Sequence, residues 1–153
     1  MRETPSGYPR ITISVFYQDP HAAIDWLVKA FGFELRLKVE GDNGAVAYSE
    51  LGFGEGLVSV GSAVVVDPKR EAWQSNHASP QMVGGKNTMS LAIFVDDCDA
   101  HCAVARAAGA DIFREPKTDD YGDDYWSDRT YGARDPEGHQ WFFMQRMRNA
   151  KKS

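Results

Sequence analysis

At 153 residues, 42% hydrophobic and 25% charged, the chain has ordinary globular composition and enough length to bury a core without disulfides or a metal. A net charge of −5 argues against nucleic acid, whose binding relies on Lys and Arg to neutralise phosphates. There is no apolar run of membrane-spanning length, no signal-peptide-like start and no disulfide framework in Cys98 and Cys102, so the expectation is a cytoplasmic protein with reduced thiols and no membrane partner.

In chain order, Ile11 to Tyr17 is β-branched and aromatic and predicts a strand. Asp19-Pro20 supplies an N-cap and a first-turn proline. Ala23, Ile24, Leu27, Val28 and Phe31 then recur at helical spacing, and Gly32 ends the helix. Three strands are predicted over Glu34–Glu40, Ala45–Leu51 and Leu57–Gly61, separated by glycine-rich turns. Ser62–Asn87 has little regular pattern and reads as a functional flap or a linker. The order then repeats. Ser90–Val95 is a strand, and Asp96-Asp97-Cys98-Asp99 opens a helix. Ala100, Val104 and Ala107 give that helix an apolar face, and Gly109 stops it. Ala110–Arg114, Thr130–Arg134 and Gln140–Gln145 follow as strands. Ile13–Tyr17 overlays Leu91–Val95 and Gly32 overlays Gly109, the mark of a duplicated βαβββ unit. The expected organisation is one domain over residues 1–153. Its first unit runs from about residue 10 to 61, its connector from 62 to 87 and its second unit from about 88 to 146.

Charge is unevenly placed. Asp119, Asp120, Asp123, Asp124 and Asp128 fall in a segment that reads as a loop, and beside a pocket they would attract a cation. Arg146, Arg148, Lys151 and Lys152 read as a frayed, solvated terminus.

Three segments carry a family resemblance. The first is Ala22-Ala23-Ile24-Asp25-Trp26-Leu27 with Ala30-Phe31-Gly32-Phe33-Glu34, the second Val95-Asp96-Asp97-Cys98-Asp99-Ala100-His101. The third is Arg129 to Trp141, with its Asp135-Pro136-Glu137-Gly138 turn. In order and spacing the set resembles the glyoxalase/bleomycin resistance protein/extradiol dioxygenase (vicinal oxygen chelate) superfamily. The resemblance implies an α+β fold in which two βαβββ units form a cupped, partly open mixed sheet with helices on the convex side. It also implies a homodimer.

Metal-dependent members place ligands on the first and last strands of each unit. The resemblance puts those positions at Thr12, Ser59, Ser90 and Phe142. Neutral hydroxyls are poor ligands for a transition metal and a phenyl ring is none, and the flanking Ile11, Ile13, Met89, Leu91, Trp141 and Phe143 offer no donor either. The expectation is therefore no metal, no cofactor and no catalytic residue. The reading is a small-molecule binding protein like the bleomycin-resistance proteins, sequestering an aromatic or cationic compound. A metal-dependent lyase or dioxygenase is the alternative.

Strand alternation sets Thr12, Ser14 and Phe16 on one face and Ser90, Ala92 and Phe94 on its counterpart, with Ser59, Gly61, Phe142 and Met144 joining by parity. Singly, Phe16, Phe94 and Phe142 read as core packing. As a set with serines and glycines that leave space, they read as a pocket. Tyr48 lies on a middle strand whose parity either face could take. Trp126 and Arg129 precede the last hairpin, where an aromatic beside Arg could clamp a planar or anionic group, or the segment could simply be a packed rim. The ligand-binding set is thus Thr12, Phe16, Tyr48, Ser59, Ser90, Phe94, Trp126, Arg129 and Phe142. His101 beside Cys98 and Cys102 reads as an exposed helix face with an incidental thiol.

Overall fold

The computed structural model describes residues 1–64 and 71–151; residues 65–70 of the connector, Lys152 and Ser153 lie outside them. Two compact units divide the chain, Met1–Gly84 and Gly85–Ser153, with the division inside the predicted connector. Among the described residues no helix is long and apolar enough to cross a membrane.

The first unit contains β1 (Ile13–Tyr17), α1 (Pro20–Phe31), β2 (Glu34–Glu40), β3 (Val46–Phe53) and β4 (Gly56–Ser62). Its open mixed sheet has the order β1-β4-β3-β2, with β1 parallel to β4 and the other neighbours antiparallel. The Asp19 carboxylate accepts from the Ala22 N–H at 3.0 Å, Pro20 occupies the first turn, and the left-handed Gly32 (φ 75°) ends the helix. The buried stripe of α1, Ala23, Ile24, Leu27, Ala30 and Phe31, covers the sheet face that carries the buried Val15, Tyr17, Leu51, Val58 and Val60. Val28 is on the outer side and exposed. The described connector residues form two short 3-10 turns, Ala72–Asn76 and Pro80–Val83, and the Gln18 amide bonds the Gln81 amide at 2.9 Å.

The second unit repeats the plan with β5 (Leu91–Phe94), α2 (Cys98–Ala107), β6 (Asp111–Asp120), β7 (Ser127–Arg134) and β8 (Gln140–Arg148), in the order β5-β8-β7-β6. The Asp97 carboxylate caps α2 by accepting from the Ala100 N–H at 2.9 Å. The face that α2 buries is Cys98, Cys102 and Ala105, which corrects the expected Ala100, Val104 and Ala107. Both stripes have the same helical spacing, and contacts with the sheet decide between them. The Cys98 N–H donates to the Gln145 side chain at 3.1 Å, and its thiol lies 3.8 Å from the Phe143 carbonyl oxygen. His101 joins the same packing, 2.7 Å from the Tyr131 hydroxyl, with its ring 4.3 Å from that of Phe143. The thiols are therefore core groups. Burial pushes the Cys98 thiol up to about 11 and raises Cys102 as well.

The Asp135-Pro136-Glu137-Gly138 turn is built around one carboxylate. Asp135 is buried and accepts from the Glu137 N–H (3.1 Å), the His139 N–H (3.0 Å) and the Trp141 indole N–H (3.0 Å). Trp141 is fully buried, so the turn and the sheet core are locked by one side chain.

The acid-rich segment is the second correction. β6 continues through Pro116 to Asp120, β7 begins at Ser127, and the turn between them is short. Over its described residues the basic tail is not frayed, because β8 extends to Arg148. Arg146 bonds Asp128 (2.5 Å), Arg148 bonds Asp120 (2.6 Å) and Lys151 bonds Asp123 (2.7 Å), while Arg114 bonds Asp119. Arg148 holds the Asp120 carboxyl below its ordinary value, behind the larger effect of the Gly122 N–H. Charges that look unbalanced in sequence are neighbours across the hairpin.

Candidate functional site

Each sheet has one face under its helix and one without a helix, and the aromatic side chains of interest collect on the second. In the first unit, strand register decides who shares that face. Ser14 pairs with Ser59 and Phe16 with Gly61 across β1 and β4. Leu51 pairs with Val58 across β3 and β4, which brings Glu50 and Ser59 next along the ladder. There the Ser49 hydroxyl donates to the Val60 carbonyl and accepts from the Val60 N–H, both at 2.9 Å, and so holds the two strands aligned. On β2, Leu37 faces Glu50 and Val39 faces Tyr48. The result is a polar row, Ser14–Ser59–Glu50, beside an aromatic row that contains Phe16 and Tyr48.

Phe16 is half-buried, and its ring stacks on His77 with centroids 3.6 Å apart and planes within 8°. Trp73 meets His77 edge-on at 5.8 Å. The connector therefore supplies two rings to this face. Gly61 is required here, since a Cβ would come within 2.9 Å of the Phe16 ring. Gly132 does the same in the second sheet, where a Cβ would meet the Phe113 ring at 2.6 Å. Gly61, expected to leave room for a guest, is instead overlain by the protein's own Phe16 ring.

Glu50 is a feature that sequence reasoning missed. It is 4% exposed, and the Tyr48 hydroxyl donates to its Oε1 at 3.0 Å. That bond is the first cause of the raised Tyr48 phenol, followed by burial. Arg36 does not pair with Glu50: its guanidinium donates to the Gly7 carbonyl at 3.0 Å and lies 5.2 Å over the Tyr8 ring. A recess of about 740 Å³ opens between the N-terminal segment and this end of the sheet, lined in part by Tyr8, Arg10, Arg36 and Glu55.

On the helix-free face of the second sheet, Ala92 pairs with Phe142, and Phe94 pairs with Met144. The Phe113 ring stands edge-on to Phe142 at 5.5 Å, under the Arg134 guanidinium at 4.6 Å. Phe94 is 54% exposed. Arg146, anchored by Asp128, lies 5.3 Å from the Phe94 ring and 5.5 Å from the Trp126 ring. This gives an arginine flanked by two aromatics, the grouping expected of Trp126 and Arg129 but formed by a different arginine. Arg129 points to the helix side and forms a two-pronged ion pair with Asp99 of α2, at 2.6 and 2.7 Å. The reason is parity, since Arg129 shares its strand face with the buried Tyr131 and Ala133.

Thr12 and Ser90 are exposed and lie just ahead of β1 and β5, and Ser59 is half-buried. With Phe142 committed to a ring contact, the four positions implied for metal ligands hold three hydroxyls and a phenyl ring. Among the described residues no three His, Cys, Asp or Glu side chains gather as a metal site. This donor set does not fit a transition metal.

The fold and these faces define a duplicated βαβββ protein. A model of the Glyoxalase/Bleomycin resistance protein/Dioxygenase superfamily matches residues 10–143, and the chain belongs to that superfamily. It is similar to TioX from Micromonospora sp. ML1, with 31% identity over 91% of this chain and 99% of that one and a TM-score of 0.66. It shares its fold with TnmS3, an antibiotic binding protein from Streptomyces sp. CB03234 (20% identity, 88% and 93% covered, TM-score 0.60). The fold is also that of a glyoxalase/bleomycin resistance protein/dioxygenase family enzyme from Burkholderia phytofirmans PsJN (18%, 88% and 95%, 0.65). Comparison with functionally curated sequences gives no match.

Proposed function

We propose that the protein is a metal-independent small-molecule binder that sequesters an aromatic or cationic compound on the helix-free faces of its sheets. One observation carries this reading: accessible aromatic rings stand on those faces, Phe16 with Tyr48 on the first and Phe94 with Phe142 and Trp126 on the second. A mostly apolar surface with a few fixed polar groups is what a small-molecule site requires. The antibiotic binding described for TnmS3, on the same fold, supports the reading. Thr12, Ser59 and Ser90 would act as hydroxyl contacts, and Arg129 as a support for α2. In this reading the protein works as a cytoplasmic homodimer.

The test is a thermal-shift and tryptophan-fluorescence titration against planar aromatic compounds. A binder raises the melting temperature in a saturable way, because binding to the native state stabilises it by mass action. Phe16→Ala and Phe94→Ala should each weaken the effect. Stoichiometric zinc, nickel or iron in protein purified without chelator would instead favour a metal-dependent lyase or dioxygenase, and a monomer by light scattering would remove the dimer.

A further inference from the structure

We infer that Glu50 is the recognition group of the first unit's face and that it takes a protonated nitrogen on an aromatic ligand. The inference rests on the small-molecule reading and names the ligand class for it. A carboxylate removed from water demands compensation by donors or an opposite charge. Elsewhere in this chain that demand is met: Asp135 has three N–H donors, and Asp128 has the Arg146 guanidinium. Glu50, 4% exposed, has one phenol hydroxyl and, among the described residues, no ion pair.

The surroundings say what would complete it. Ser59 and Ser14 continue the polar row, Leu37 and Val39 stand exposed beside it, and Tyr48 is 46% exposed. Tyr48 is two residues from Glu50 on the same strand and covers the carboxylate with its own hydroxyl. Displacement of that side chain opens Glu50 to a ligand and presents the phenol ring as a surface for the ligand's aromatic system. A cation is preferred over a neutral donor because only an opposite charge adds Coulombic attraction to the hydrogen bond and neutralises a carboxylate removed from water. The acid-rich hairpin does not supply this selectivity, since Asp119, Asp120, Asp123 and Asp128 are matched by the chain's own cations.

The experiment titrates two planar tricyclic probes, the cation proflavine and the neutral acridone, into wild-type protein, Glu50→Gln and Tyr48→Phe. Glutamine keeps the shape and the acceptor for Tyr48 but loses the charge. The expected result is at least about tenfold tighter binding of proflavine than acridone by wild type, a preference that Glu50→Gln abolishes with acridone binding unchanged. Tyr48→Phe, which keeps the ring and frees the carboxylate, should retain the preference even if Glu50→Gln folds poorly. Equal binding of both probes by wild type would overturn the anchor and leave the small-molecule reading standing. So would a preference that survives Glu50→Gln. Failure of both probes to bind wild type would remove the anchor and the small-molecule reading together.

Discussion

Glu50 in the first half of the molecule and Asp135 in the second are both buried carboxylates near a sheet, and the fold treats them in opposite ways. Asp135, 5% exposed in the second half, sits at the centre of three N–H donors and fixes a turn. Glu50 in the first half is just as buried and has a single hydroxyl partner on its own strand. A carboxylate surrounded by donors belongs to the architecture, because removing it strands those donors. A carboxylate with one movable partner has most of its acceptor capacity unmet, which is the opening that the proposed cationic ligand would fill.

That contrast can be broken by substitution. Asp135→Ala should have the largest effect, about 3 kcal/mol or more of lost stability, because it leaves the fully buried Trp141 indole N–H and two backbone N–H groups without an acceptor. Urea unfolding measures it; a loss under about 1 kcal/mol would mean that water replaces the carboxylate. Gly132→Ala should cost about 1–3 kcal/mol by driving the Phe113 ring off the strand. Gly61→Ala should cost somewhat less, with His77 losing its stacked partner as the ring of Phe16 moves. Glu50→Met should be neutral or raise stability by about 1 kcal/mol, since an apolar side chain of similar length removes an undercompensated charge. A large loss there would place Glu50 with Asp135 in the architecture.

The smallest effect concerns pH. The Cys98 thiol is raised from 9.0 to about 11 by burial. The folded chain holds that proton more tightly than the unfolded chain does. The associated stability is complete below about pH 9 and disappears as pH climbs through 11. Melting temperatures of wild type and Cys98→Ala should therefore run parallel below pH 9 and converge above it. Curves that stay parallel to pH 11 would show that the thiol is not held neutral.

Much of the fold could be read from local chemistry. Asp19-Pro20, Asp97, Gly32 and the Asp-Pro-x-Gly turn are signals that act within a few residues, and the structure uses each of them. What escaped depended on distant partners. The two stripes of α2 are equivalent in period, and contact with Phe143 and Gln145 selects the one with the cysteines. β6 runs past Pro116 because arginines from β8 and the sheet meet its aspartates, and spacing along one strand does not reveal that. Of the candidate site, Phe16, Tyr48, Phe94, Trp126 and Phe142 fall on the helix-free faces, as alternation allows. Arg129 does not, because it shares the strand parity of the buried Tyr131 and Ala133 and meets Asp99 on the helix side. Glu50 went unnoticed because one glutamate in a strand looks like a solvated side chain until its burial is known.

The ladder of Asp128 with Arg146, Asp120 with Arg148 and Asp123 with Lys151 also bears on how this protein can drift. Each rung joins residues 18 or 28 positions apart, so a change at one creates pressure at the other. Among descendants, loss of an aspartate from the hairpin should travel with loss of its basic mate, and exchanged signs should be tolerated where a lone reversal is not. Sequence covariation, rather than conservation of either column, is the trace this feature leaves.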